Sequence, residues 1–545
     1  MSTLSISARG VLNQNEINRQ VNLIGTSPMS IKKTQRLHLS NGHESTNKIG
    51  NGEKKKPHVI VVGAGISGLR AASVLLRHGV GVTILEGRPD RIGGRIYTSR
   101  KNGNDAPRDI VLTTQCGLFI LLPGKSVLIT LLGAAWMHET SQNKLVQLIP
   151  KLGIDYYYDD GAALYFTKEG RAGSQFKAKK VADEFADYCE YFYTNTPDAP
   201  DRSVKDFVYD FVEKHPLITA SERKWAPQAL REVELWIGTS IEEASSKHLS
   251  YFVTERNLYM KGGYDKIVNW AAKPLLKDPE TIRLGEVVKN ITWGHEDDSV
   301  IVESTNNNTT STFNADAIVV TVPLGVLRRN MINFSPALPS DIQEGIRRFS
   351  YGALGKVFVE FSEVFWPKDN DQFIYYPSPL PLEATVDESS ILSYATVTSN
   401  CWIMSGTKEL CIQIAEPLTQ RVEAMTSTSE IYAFFEPLFK LLRTEPYKDL
   451  PDLLNLETTH WTQDPLAGFG SYSVEKAGDE SELLIDALDN NRRSRLQFAG
   501  EHCTIVGNGC VHGAFETGEV AARNLLETLG VVYDGHDTTA RSCVS

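Results

Sequence analysis

At 545 residues the chain is longer than one hydrophobic core usually serves, so two structural units sharing a cleft are expected. Its composition, 41% hydrophobic and 23% charged, excludes a wholly disordered, collagenous or disulfide-scaffold protein. The formal net charge of -11 argues against a general nucleic-acid binder, which needs basic surface to displace counterions, and suits a cationic substrate.

Residues 1–56 are rich in Asn, Ser, Gln and Lys without a sustained apolar period, and predict a disordered leader ending in Lys54-Lys55-Lys56. The leader lacks the charged start and apolar run of a signal peptide, so a cytoplasmic protein is expected. Next, His58–Val62 is a β-branched apolar run of the buried parallel-strand kind. A glycine turn, a helix through Leu69–Leu76 and a second strand at Gly81–Glu86 complete a βαβ unit. Val111–Leu132 is apolar, but Pro123-Gly124-Lys125 interrupts it, and neither half reaches the roughly 20 residues a bilayer requires. No membrane partner is therefore expected. From about 145 to 250 the pattern is helical, with apolar residues three and four apart in Val181–Tyr188 and Lys224–Trp236. Strands return in 280–325, ending on Ala317–Val322 before Pro323, and a mixed segment runs from 340 to 455. Arg495–Glu501 reads as strand and loop, and Gly513–Leu529 as a small-residue helix.

The chemistry-bearing motif comes first in the chain. Gly63, Gly65 and Gly68 form GxGxxG between strand and helix, with Glu86 ending the next strand. Glycines there let the backbone approach a pyrophosphate at the helix N-terminus, and the carboxylate can accept the adenosine ribose hydroxyls. Just beyond, Arg88, Arg91, Gly93, Gly94 and Arg95 supply guanidinium groups and a glycine pair where a second phosphate and a flavin must be held, which favours FAD over NAD. The seven cysteines show no CxxC spacing, so neither a metal site nor a disulfide framework is expected.

At these residues the chain resembles the flavin amine oxidase family, which carries Glu-x-Arg followed by Arg and Gly-Gly-Arg here; Pro89 adds one residue to that pattern. The resemblance continues after residue 57 along nearly the whole chain. Gly133-Ala134-Ala135-Trp136-Met137-His138 resembles its DxGAxWxH segment, Lys261–Asp265 its GGY, Val288 its adenine-side valine and Thr321–Leu327 its TVPLGVL. Leu354–Phe358 followed by Phe365-Trp366-Pro367 is similar to the segment bearing the family's active-site lysine. Trp461 to Tyr472 resembles its flavin-side tryptophan and GSYS loop, while Phe498–His502 and Val511–Ala514 match FAGEH and VHGA.

The resemblance implies an α/β fold: an FAD-binding Rossmann-like domain assembled from discontinuous segments, 57–145, 251–335 and 456–530, with an α+β substrate domain in 146–250 and 336–455 and a flexible tail at 531–545. It implies FAD contacts from Ala134, Trp136, Val288, Trp461, Gly500, Glu501 and Val511. Lys356 is implied to hold a water at flavin N5, and His138 to stand beside the flavin as in animal and yeast polyamine oxidases. Asp160 is a carboxylate for a distal ammonium or a solvated loop residue. Tyr472 and Cys510 are implied to flank the substrate, and a cysteine at 510 replaces one wall of an aromatic cage. Covalent relatives use a Ser-Gly-Gly-Cys context that is missing around Trp461, so the FAD is expected to be non-covalent.

The implied reaction is oxidation of a C–N bond by hydride transfer to FAD, with imine hydrolysis and reoxidation by O2 to hydrogen peroxide; the expected substrate is a polyamine. A histone lysine demethylase, a specialised amine oxidase and an FAD-holding binding protein remain alternatives. Finally, the family pattern runs straight from Asp-Ile/Leu-Gly into Ala-x-Trp, and Arg108-Asp109-Ile110 and Gly133–Trp136 are its two halves. Val111–Leu132 is thus either an added segment, such as a translated intervening sequence, or a family-specific loop.

Overall fold

The computed structural model describes residues 56–102, 127–159, 162–173, 176–249, 257–294, 299–379 and 387–535, all within the unit Lys56–Ser545. The leader through residue 55, Asp160 and the apolar stretch up to residue 126 lie outside them.

His58–Val62 is buried at Val59, Ile60, Val61 and Val62, as its unbroken β-branched run requires of a strand covered on both faces. It lies at the centre of a five-stranded sheet in the order Ile282–Leu284, Gly81–Glu86, His58–Val62, Ala317–Val320 and Leu496–Phe498. Every pairing in this sheet is parallel, and its strands come from the start, middle and end of the chain. Sequence-remote strands therefore deliver their C-terminal ends to one edge, where ligands of open α/β sheets bind. The helix Ile66–Arg77 follows the first strand, and the C-terminal helix Val511–Thr528 packs against it. Their approach is close: a Cβ on Gly518 would lie 2.2 Å from the Ser67 carbonyl oxygen.

The second layer is a seven-stranded sheet, ordered Leu453–Thr458, Leu354–Phe361, Glu409–Ala415, Thr396–Asn400, Gln372–Tyr375, Ala163–Thr167 and Gly170–Arg171. Over it pack the helices Ala178–Asn195, Val204–Lys214 and Ala220–Leu230, the first burying Ala178, Val181, Ala182, Phe185, Cys189 and Tyr193 along one stripe. A three-stranded sheet of Trp136–Met137, Asn257–Tyr259 and Tyr157–Asp159 completes the surroundings of the site. Among the described residues, no helix is long and apolar enough to cross a membrane.

One expectation needs correction. The start of the tail expected to be flexible, residues 531–535, is packed: Val531 and Tyr533 lie on the core, the Tyr533 hydroxyl donates to Glu519 (2.9 Å), and its ring lies 5.1 Å from that of His78. Val531 and Tyr533, two residues apart, share the packed face, while Val532 between them is exposed. Of the apolar stretch, residues 127–132 are described. Val127–Thr130 pairs antiparallel with Ser99–Asn102, and Leu131 and Leu132 are buried in separate apolar clusters.

Candidate active site

The glycine turn is built for a group that approaches the backbone. Gly63 has φ +101°, a region that side chains rarely adopt, and a Cβ on Gly68 would lie 2.1 Å from the Gly63 carbonyl oxygen. At Gly65, by contrast, a Cβ would meet nothing within 4 Å, so open space lies at the start of the helix Ile66–Arg77. That helix has no side-chain cap and no acidic residue in its first turn, and its orphan N–H groups suit an anion. Glu86 braces the turn, accepting from the Ala64 N–H (2.6 Å) with one oxygen and the Arg88 N–H (2.8 Å) with the other. Each oxygen keeps a lone pair that a ribose hydroxyl could use. Gly93 N–H donates to the Ala64 carbonyl (2.9 Å), which seats the Gly93-Gly94 turn on the glycine motif. These features fit a dinucleotide such as FAD. Replacing Glu86 with alanine removes a brace and both ribose acceptors; we expect a protein that otherwise purifies yellow, and releases FAD on denaturation, to lose cofactor about tenfold more readily, as measured by flavin content after dialysis.

The arginines do not share one role. Arg88 forms an ion pair with Asp464, whose other oxygen caps the turn at Leu466 and Ala467. Arg91 donates to the Gly94 carbonyl (2.8 Å) and lies over the Tyr97 ring. Arg95 donates to Glu501 (2.8 Å) and to the Ser471 carbonyl (2.8 Å), joining segments far apart in the chain. Glu501 also accepts from the Ser473 hydroxyl and the Gly509 N–H (3.2 Å). Burial alone would raise its carboxyl; Arg95, His502 and Ser473 outweigh this and hold it below the usual range. The nearby Gly500 has no room for a side chain, because the His502 ring occupies it. Val288 is buried in a strand whose approach is fixed by backbone bonds from Gly285 to Arg88 and from Glu286 to Glu86. Val511 opens the C-terminal helix, again without a side-chain cap.

Lys356 is 8% exposed, in the interior of the seven-stranded sheet. Its ammonium donates to the carbonyls of Gly133 (2.6 Å) and Leu131 (3.3 Å) and stands 5.4 Å from the centre of the Trp136 ring. Trp461 donates its indole N–H to the carbonyl between them, Leu132 (3.3 Å). Lys356 and Trp461 thus clasp the backbone that leads into Ala134, which is half-buried. Burial lowers the Lys356 pKa, with Cys411 and Cys401 opposing more weakly. His138 places Nδ1 2.8 Å from the Asn257 side-chain oxygen, which makes Nδ1 the donor and leaves Nε2 an acceptor in the neutral ring. Burial keeps its pKa below the usual value, against the Asn257 bond, and His512, Glu139 and Lys356 are the ionisable side chains near it. Tyr472 donates to the Trp236 carbonyl (2.8 Å) and has Cys510 as a neighbour. Among the described residues no group of side chains could hold a metal.

Two organising residues, Glu423 and Asp159, are not among those expected from the sequence. Glu423 accepts from the Thr459 hydroxyl (2.6 Å) and from the Thr462 N–H (2.7 Å), and Thr459 in turn accepts from the Lys356 N–H (3.0 Å). One buried carboxylate therefore ties the Lys356 strand to the Trp461 loop. Asp159, buried at the end of its strand, accepts from the Trp136 indole (2.9 Å) and from Gln372 (3.2 Å). Alternation along Tyr157–Asp159 could have indicated an inward Asp159; nothing in sequence connects Glu423 with Lys356.

Comparison with known proteins agrees with this geometry. The pattern of the family described as flavin containing amine oxidoreductase matches residues 66–526. The chain is 29% identical over 504 residues to a corticosteroid-binding protein of Candida albicans, covering 87% of this chain and 97% of that one. It is 29% identical over 492 residues to polyamine oxidase 4 of Oryza sativa subsp. japonica, covering 86% and 88% of the two chains. A solved structure of a putrescine oxidase redesigned in its cofactor binding superposes with a TM-score of 0.60 at 16% identity, over 87% of this chain and 99% of that one.

Proposed function

Since the chain belongs to the family of flavin-containing amine oxidoreductases and is an FAD-dependent amine oxidase using a small-molecule amine and O2, we propose that its amine is a polyamine. The observation that carries this reading is a neutral, Asn257-held His138 with buried Lys356 as a charged neighbour. The similarity to a polyamine oxidase along most of both chains supports it.

Bound FAD would supply the two-electron acceptor chemistry that couples oxidation of the C–N bond to reduction of O2 to hydrogen peroxide. Gly63, Gly65 and Gly68 with the helix N-terminus would hold its pyrophosphate, Glu86 its ribose, and the Val288 backbone its adenine. The Gly94-Arg95 turn, Ala134, Trp136, Trp461, Gly500-Glu501 and Val511 would enclose the flavin half. Arg88 acts through Asp464, fixing the turn that follows Trp461. Donation of hydride requires the amine nitrogen to be neutral. An apolar, partly desolvated pocket favours that form, and the bare Nε2 of His138 accepts a hydrogen bond from the amine N–H. Lys356 orients a water at the reacting face, and Tyr472 and Cys510 flank the substrate chain. Asp160 pairs with a distal ammonium.

A peroxide assay across spermine, spermidine, their acetylated forms and monoamines, with masses of the products, tests the reading. Turnover confined to monoamines would refute it. Asp160→Asn should raise KM for a polyamine roughly tenfold, the effect of losing one charged hydrogen bond, and leave a monoamine unchanged. Equal effects on both would return Asp160 to a solvated loop.

A further inference from the structure

The residue after His138 stands out on independent grounds. Glu139 is a non-glycine residue with φ +52°, a conformation that persists where its surroundings enforce it. They do so here: its carbonyl accepts from the N–H groups of Gln142 (2.9 Å) and Asn143 (2.8 Å), and the buried Asn143 side chain donates to the His138 carbonyl (2.9 Å). The turn therefore presents the Glu139 carboxylate in a fixed direction. Oε2 lies 3.2 Å from Nε2 of His512 in the C-terminal helix, and the side chain retains 28% of its exposure. Oε1 accepts no hydrogen bond among the described residues. On the Cys510 side, the thiol is pushed up to about 12, first by burial and then by the carboxylates of Glu139 and Glu501. Glu501 is already taken by Arg95, Ser473 and Gly509. Among the described residues, Glu139 keeps an open oxygen beside His138 and Cys510.

We propose that Glu139 is a cation-binding residue that holds a second ammonium of the substrate while the neighbouring His138 receives the nitrogen that reacts. This rests on the polyamine reading and deepens it. Two adjacent side chains then sort the nitrogens of one substrate by charge. A neutral imidazole offers a lone pair to an uncharged amine, and a carboxylate offers a charge to a protonated one. The His512 imidazole on Oε2 holds the carboxylate in place and leaves Oε1 for the ammonium.

The test separates this from the choice of substrate. The holoenzyme is titrated with 1,8-diaminooctane and with n-octylamine, following the flavin spectrum, because these ligands report binding whether or not turnover occurs. Glu139→Gln should weaken the diamine about tenfold or more and change octylamine less than about twofold. Glu139→Asp should fall between. Glu139→Gly, which suits the positive φ, should keep flavin content and melting temperature at or above wild type and show the same diamine loss. Unchanged diamine affinity in the Gln and Gly variants, equal losses for both ligands, or a wild type that binds neither amine overturns the proposal. If the diamine loss occurs but no polyamine is oxidised, the polyamine reading fails and the cation site stands.

Discussion

Replacing Lys356 with methionine is expected to slow reoxidation of the reduced enzyme by O2 roughly 10²-fold, the size of effect seen when one positioned charged or donor group is removed from a reacting centre. The flavin content should fall far less than the reoxidation rate, since Lys356 touches the backbone of Leu131 and Gly133 and none of the glycine-turn groups. Stopped-flow measurement separates the half-reactions: amine added anaerobically reports hydride removal, and oxygen added to the reduced enzyme reports the step assigned to Lys356. Rates within twofold of wild type in both would remove it from the mechanism. Stability offers a control with a definite sign. Burial lowers the folded-state pKa of Lys356, so between that value and the unfolded value of about 10.5 the unfolded chain binds more protons than the folded one. Wild-type stability therefore gains from this group as pH rises through that window, and the methionine variant lacks that part of the pH dependence. At neutral pH the variant loses two hydrogen bonds but no longer buries an ammonium, so its melting temperature should stay within a few degrees of wild type.

Deleting Val111–Leu132 is expected to yield more soluble, more fully FAD-loaded protein than the full-length chain. The register of the Ser99–Asn102 hairpin supplies the reason. Ser99 pairs with Thr130 and Asn102 with Val127. In the deleted chain Arg108 and Asp105 fall at those places, and Gly103-Asn104 alone joins the strands. Gly-Asn is a favoured two-residue hairpin connection, whose backbone twist matches that of paired strands. Asp109 and Ile110 then lead into Gly133, supplying the carbonyls that Lys356 and Trp461 now reach on Leu131 and Leu132. Pro107 would sit in a two-stranded ribbon, where an edge position tolerates a missing donor. The removed run is mostly apolar and without charge until Lys125, a composition that favours association when exposed. Expression of both forms, compared by size-exclusion chromatography and by the ratio of flavin to protein absorbance, decides the matter. A soluble, active full-length enzyme whose activity is lost on deletion, together with a sole transcript encoding the stretch, would make it a native loop.

Local rules made much of this protein legible without coordinates. The run His58–Val62, the turn Gly63–Gly68 and Glu86 announce a βαβ unit because backbone approach to a phosphate demands glycine at fixed spacing and a buried parallel strand demands continuous apolar residues. The apolar spacing in Val181–Tyr188 declared the helix Ala178–Asn195 for a similar reason: period 3.6 is imposed by one buried face. The isolated lysine in Leu354–Phe358 also drew notice, because a buried ammonium is costly without partners.

What those partners are, the tertiary structure alone decided. The Lys356 ammonium finds carbonyls in a segment far upstream, Glu423 reaches both Lys356 and Trp461 through threonines, and Arg95 finds Glu501 across most of the chain. Parallel strands from distant segments bring these groups together, and hydrogen bonds between such segments leave no periodicity in any local window. The pleat of a strand turned Asp159 inward to the Trp136 indole, a partner that no local window names. Glu139 completes the contrast: its residue type is visible in sequence, whereas its positive φ and its pairing with His512 exist only once the C-terminal helix is packed against that turn.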